Sequence, residues 1–270
     1  MIRVFQIVVF GCAAILLTGC NAPEKDKDEA IWEQVKIGDL APSPNAKRPS
    51  SQLLKTINFK VYIFEIPAEN ISTLDDIWAT LYTEPLRFNN SDAFKANSFL
   101  VGFGQVQMWD KIADLLRTAG GEKIETVSLL LPDGQANDLT IARLHNEQTI
   151  FHISTAGSME GVTIGPGKLA LRIKAEKIPG SRGVCNVVML PVFSPPIKRA
   201  FSQSATREKS AEFPFTPAGF KLKMSPGDFV FLGPGKYISH QITLGSLFFS
   251  RPKPKPVVRT YLIVCTRIID

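Results

Sequence analysis

Histidine and cysteine are scarce in this chain, three and four among 270 residues. His145, His152 and His240 stand at no helical metal-ligand spacing from one another or from a Cys or Glu, so the sequence predicts no metal and no cofactor. No Gly-x-Ser-x-Gly elbow occurs, and Gly157-Ser158-Met159-Glu160-Gly161 lacks the strand-to-helix setting that a nucleophile needs and reads as a loop. A second apolar run of membrane length is also missing after the first twenty residues. At 44% hydrophobic and 21% charged residues, the composition excludes a disordered chain.

What is present begins at the N-terminus. Arg3 precedes an apolar run from Val4 to Leu17, which is short for a membrane span and has the plan of a secretory signal peptide. The run closes on Leu17-Thr18-Gly19-Cys20, which resembles the lipobox of bacterial lipoproteins. The resemblance implies removal of residues 1–19 and acylation of Cys20, the palmitate-bearing terminus. Without it, the same segment reads as a plain signal peptide or an uncleaved anchor helix. Asn21 stands where an Asp would mark inner-membrane retention in enterobacterial lipoproteins, so the resemblance implies a periplasm-facing protein on the outer membrane.

Residues 20–56 are charged and then rich in Pro, Ser and Asn, as in Ala41-Pro42-Ser43-Pro44-Asn45, the composition of a flexible stalk. Residues 57–134 change character. A strand at Phe59–Ile66 leads to a helix with Ile71, Leu74, Ile77, Trp78 and Leu81 on one face and Asn70 or Ser72 as its cap. A strand at Ser98–Phe103, a helix from Gln107 to Thr118 with Trp109, Ile112, Leu115 and Leu116 inward and Gly120-Gly121 as its stop, and a strand at Ile124–Leu131 complete a small α/β module.

After Gln135 the helical period disappears. Short apolar runs at 139–144, 149–154, 168–178, 184–193, 220–224, 229–232, 242–249 and 257–268 predict a largely antiparallel β domain over 135–270. The fold class expected is therefore α+β. Gly165-Pro166-Gly167-Lys168 recurs as Gly233-Pro234-Gly235-Lys236; both predict tight turns with glycine at positive φ, and neither has the spacing of a phosphate-binding loop.

Of the four cysteines, Cys12 leaves with the leader and Cys20 takes the lipid, so Cys185 and Cys265 remain, each inside a strand-like run. In an oxidising compartment they form either a disulfide, closing a loop of about 80 residues worth roughly 4 kcal/mol, or two buried thiols. Both readings stay open.

The formal net charge is +6, and residues 194–260 alone hold eleven Lys or Arg against three acidic residues. Their polar stretch at 194–212 predicts an exposed basic loop. Aromatics from Phe213 to Phe249 alternate with these basic residues, but export removes the chain from single-stranded nucleic acid, so core packing is expected of them and no nucleic-acid partner.

The closing stretch has a further rhythm: Met224-Ser225-Pro226-Gly227-Asp228-Phe229-Val230-Phe231-Leu232-Gly233, then Leu244-Gly245-Ser246-Leu247-Phe248, then Tyr261 to Ile268. It resembles the C-terminal signature of the secretin family, and the module upstream resembles secretin ring modules. Thr266 is followed directly by Arg267, and the Pro-rich loop before the Leu-Gly-x-Leu-Phe element is missing, so the resemblance implies a β scaffold with a self-association or docking surface, not a channel.

The expected function is that of a lipid-anchored envelope protein with a non-catalytic binding or assembly role, its partners the membrane, other envelope proteins or further copies of itself. The competing expectation is an exported hydrolase acting on envelope glycan or lipid, with Asp133 or Asp138 near a cleft.

Overall fold

The computed structural model describes residues 55–196, 212–238 and 242–269. The expected leader, Cys20, nearly all of the stalk, residues 197–211 of the basic loop and His240 lie outside the described residues. In chain order the elements are β1 (Thr56–Pro67), a 3-10 turn (Ala68–Thr73), α1 (Leu74–Thr80), β2 (Arg87–Phe88), α2 (Ser91–Ala96), β3 (Phe99–Gly104), α3 (Trp109–Thr118), β4 (Glu122–Pro132), β5 (Ala136–Leu144), β6 (Gln148–Ile153), β7 (Met159–Ile164), β8 (Gly167–Lys177), β9 (Cys185–Ser194), β10 (Phe213–Pro214), β11 (Phe220–Met224), β12 (Phe229–Pro234), α4 (Leu244–Phe249), β13 (Ser250–Arg251) and β14 (Val257–Ile269).

Two antiparallel sheets carry the fold. The first has the order β3-β12-β14-β1-β4, and the second β2-β11-β9-β8-β5. Period-two alternation explains how they stack. On β1, Phe59, Val61 and Ile63 enter the core shared with the second sheet, while Tyr62, Phe64 and Ile66 turn the other way toward α1 and α3. β12 divides likewise, with Val230 and Leu232 inward and Phe229 and Phe231 toward the helices. The result is three layers: helices, first sheet, second sheet. The middle layer is buried on both faces, which is why β12 and β14 read as nearly unbroken apolar runs.

The α+β class holds, but a boundary at 134/135 runs through a single body. β1, β3 and β4 from the first part share their sheet with β12 and β14 from the second, and β14 lies between β1 and β12. Pro132-Asp133-Gly134-Gln135 is a corner where the chain passes from one sheet to the other, with Gly134 at φ +75°. Strand order cannot be read from a linear pattern, so two structural units were expected where long-range pairing makes one.

Three local expectations also change. The cap expected at Asn70 or Ser72 is not made: the chain first winds as a 3-10 turn, no side chain caps α1, and Asn70 Nδ2 donates instead to Ala119 O at 3.1 Å. The expected strand at 242–249 contains a helix, α4, closed by a reciprocal Thr243/Ser246 capping box. Leu244, Gly245, Phe248 and Phe249 are all buried, and an all-round buried helix has no amphipathic period to detect. None of the glycines in the two Gly-Pro-Gly-Lys segments has positive φ. Gly167 opens β8, where a Cβ would stand 2.5 Å from the Phe193 ring, so close packing and not turn geometry requires glycine there. The sequence also passed over α2, whose Asn90 Oδ1 accepts from Ala93 N at 2.9 Å, and β7, which occupies the end of the expected loop.

Candidate binding surface

Both carboxylates expected of a hydrolase are held by neighbours. Asp133 Oδ1 accepts from Lys177 N at 2.8 Å in the corner between the sheets. Asp138 on β5 faces Arg172 on β8, which donates to both of its oxygens at 2.8 and 3.0 Å, with Lys168 Nζ at 3.4 Å. Burial pushes the Asp138 carboxyl up, but the Arg172 hydrogen bonds and charge more than offset it, leaving it below its ordinary range. Arg172 also forks onto Glu212 at 2.7 and 2.9 Å, which fastens the chain leading into β10. Burial raises the Asp228 carboxyl, whose Oδ2 accepts from Ser225 N at 2.7 Å within a turn. Asp133, Asp138 and Asp228 each tie strands or turns together.

The two described histidines lie apart from these carboxylates. His145 lies in the loop after β5, and His152 on β6 is buried against the edges of Phe213 and Phe215 at ring distances of 6.0 and 5.3 Å. Among the described residues no group of His, Cys, Asp or Glu could hold a metal ion, and no helix is long and apolar enough to cross a membrane.

Recognition features gather on the outer side of the first sheet. α3 lays Ile112 and Leu116 against it, the helix and spacing the sequence predicted, and leaves an apolar groove of about 310 Å³ between helix and strands. Tyr62, Phe64, Trp109 and Leu262 form its walls, and Lys123 reaches over its rim, 5.9 Å from the Tyr62 ring centre. Tyr62 and Trp109 meet edge to face at 5.8 Å.

β4 runs beside this groove as the outermost strand of its sheet, eleven residues long and paired among the described residues with β1 alone. Among the described residues nothing pairs with its other backbone edge. From Thr126 to Leu131 it has neither a charge nor a proline, the devices by which edge strands are usually blunted. Leu130 is 58% exposed on the strand's outer face. A register shift between Ile63 and Phe64 lets Ile124 bulge out at the other end. Sequence reading identified this strand but not its place at the edge, because no local signal distinguishes an edge strand from a central one.

Of the sites expected from sequence, Cys20 lies outside the described residues. Cys185 on β9 and Cys265 on β14 are both fully buried and carry free thiols, one in each sheet.

No family model matches the chain, and no curated protein matches it. Among solved structures it is similar to the InvG secretin domain β-barrel from the Salmonella SPI-1 injectisome NC-base, at 13% identity over 80% of this chain and 64% of that one, with a TM-score of 0.21. The chain thus spans just under two thirds of that structure's length. A TM-score of 0.21 leaves the two folds unmatched as wholes; the fold assignment stands on the two sheets described above.

Proposed function

We propose that this protein is a lipid-anchored component of a bacterial envelope that acts by binding and assembly, through addition of a strand to the open edge of β4. The observation that carries this reading is that long edge, free of charge and proline over Thr126–Leu131 and flanked by an aromatic groove. Strand addition supplies main-chain hydrogen bonds, and neighbouring pockets for side chains supply specificity. A second copy is the occupant proposed, because every copy presents the same edge and two such edges can pair antiparallel about a twofold axis. The carboxylates reinforce the non-catalytic reading, since Asp133 and Asp138 are both engaged in holding the frame. Attachment through Cys20 to the outer membrane is the proposal that the lipobox resemblance and Asn21 support. A secretion-associated assembly is its finer form, supported by the secretin-like rhythm of the C-terminal strands.

Sedimentation of the detergent-solubilised full-length protein tests this. Wild type is expected to assemble, and Ser128→Lys with Leu130→Lys, both at exposed positions of β4, to weaken assembly at least about tenfold while leaving the melting temperature nearly unchanged. A wild-type protein that stays monomeric at high concentration overturns the proposal.

A further inference from the structure

The turn Ser225-Pro226-Gly227-Asp228 carries the chain from β11 in the second sheet to β12 in the first. Each end of that turn is held by a cysteine-bearing strand. Cys185 stands opposite Met224 in the β9–β11 register, and its thiol lies 3.5 Å from Met224 O. Cys265 grips the other end, accepting at its carbonyl from Gly227 N at 2.8 Å and donating its own N–H to Asp228 O at 2.9 Å. A four-residue turn thus brings β9 and β14 to the same point of the interface between the sheets. Both side chains are fully buried in the core there, and the two thiols are near enough to shift each other's ionisation.

We infer that Cys185 and Cys265, free thiols in this structure, form on oxidation a disulfide that staples the two sheets together beside the 225–228 turn. No other described cysteine competes for either partner. The bridge closes a span of about 80 residues that includes β10, β11, β12 and α4, so it constrains the unfolded chain over the whole C-terminal third. It also fixes β14, and through it β1 and β4, against the second sheet.

The chemistry balances with a protein or small-molecule disulfide as oxidant. The Cys185 sulfur attacks one sulfur of the donor as thiolate, and the donor's other sulfur takes up the released proton and leaves as a thiol. Cys265 then gives up its proton and displaces the donor from Cys185, closing the bridge. Two protons and two electrons pass to the donor, which is reduced to the thiol level. Because both thiols are fully buried in the finished fold, the exchange is expected during folding or on opening of the 225–228 turn.

The full-length protein, refolded in oxidised glutathione and then unfolded in a thiol-alkylating reagent without reductant, tests the bridge. Peptide mapping by mass spectrometry is expected to show Cys185 and Cys265 unlabelled and joined in one linked peptide, both becoming labelled after reduction. Wild type should lose on the order of 10 °C of melting temperature on reduction, and Cys185→Ala with Cys265→Ala should show no such response. Full labelling of both thiols without reductant, or a bridge from either one to another cysteine, overturns the inference. The refolding assay is independent of export: a protein that bridges in glutathione but is found reduced in cells contradicts the envelope location, not the geometry.

Discussion

The side-chain amide of Asn97 acts as a strand partner for Ile153. Asn97 Oδ1 accepts from Ile153 N at 2.8 Å, and Asn97 Nδ2 donates to Ile153 O at 3.0 Å while also reaching Ala93 O at 2.8 Å. One buried amide thereby joins the end of α2 to the end of β6, across 56 residues of sequence. It pins the β6–β7 hairpin to the body.

Asn97→Ala is expected to cost about 2–4 kcal/mol, because Ile153 loses both partners at a partly buried site. Hydrogen exchange at the Ile153 amide should accelerate in step with the loss measured by urea denaturation. Unchanged exchange at that amide would show that the hairpin is held by other contacts.

Stability should fall in acid. Glu65 is nearly buried, with Lys253 Nζ at 2.6 Å and Arg259 Nε at 3.0 Å. Burial raises its pKa, and the two basic partners more than reverse this, leaving it below 4.5. A carboxyl depressed in the folded state stabilises the fold above its unfolded value and loses that contribution as pH drops through the folded one. Glu65→Gln is therefore expected to cost about 1–2 kcal/mol at neutral pH, with the gap to wild type narrowing as pH falls below 4.5. Urea midpoints across that range check it; a gap that does not change with pH refutes it.

Gly245→Ala should be among the most damaging small substitutions. A Cβ there would lie 2.2 Å from Asn97 O and 3.0 Å from Ser98 Cβ, and Ser98 already sits at φ +66°. Helix α4 would have to move off the Asn97–Ser98 turn, at about 3 kcal/mol. Gly134→Ala, at φ +75° with open space around it, should cost about 1 kcal/mol through backbone strain alone. Melting temperatures of the two variants should rank in that order, and equal losses would contradict the steric account.

Cys20→Ala should release the protein from membranes. Fractionation is expected to move it to the soluble pool, and continued pelleting of the variant would count against the lipid anchor.

The apolar runs of β1, β12 and β14 and the helical spacing of Ile112 and Leu116 made the strands and α3 legible from the sequence, because run and repeat both record which residues leave water locally. Helix α4 escaped, since burial on all sides removes the contrast between faces that a period expresses. The edge position of β4 escaped for another reason: it depends on which strands lie beside it, and β14, some 125 residues later in the chain, occupies the place next to β1 on the other side.

Side-chain polarity along the chain sets which residues leave water, so the α+β class and most strand positions follow from it directly. Pairing partners, the single body formed across residue 134, and the meeting of Cys185 with Cys265 depend on contacts between distant segments. Their free energy appears only once the sheets have stacked and the loop-closure entropy has been overcome, and no local pattern of residues carries it.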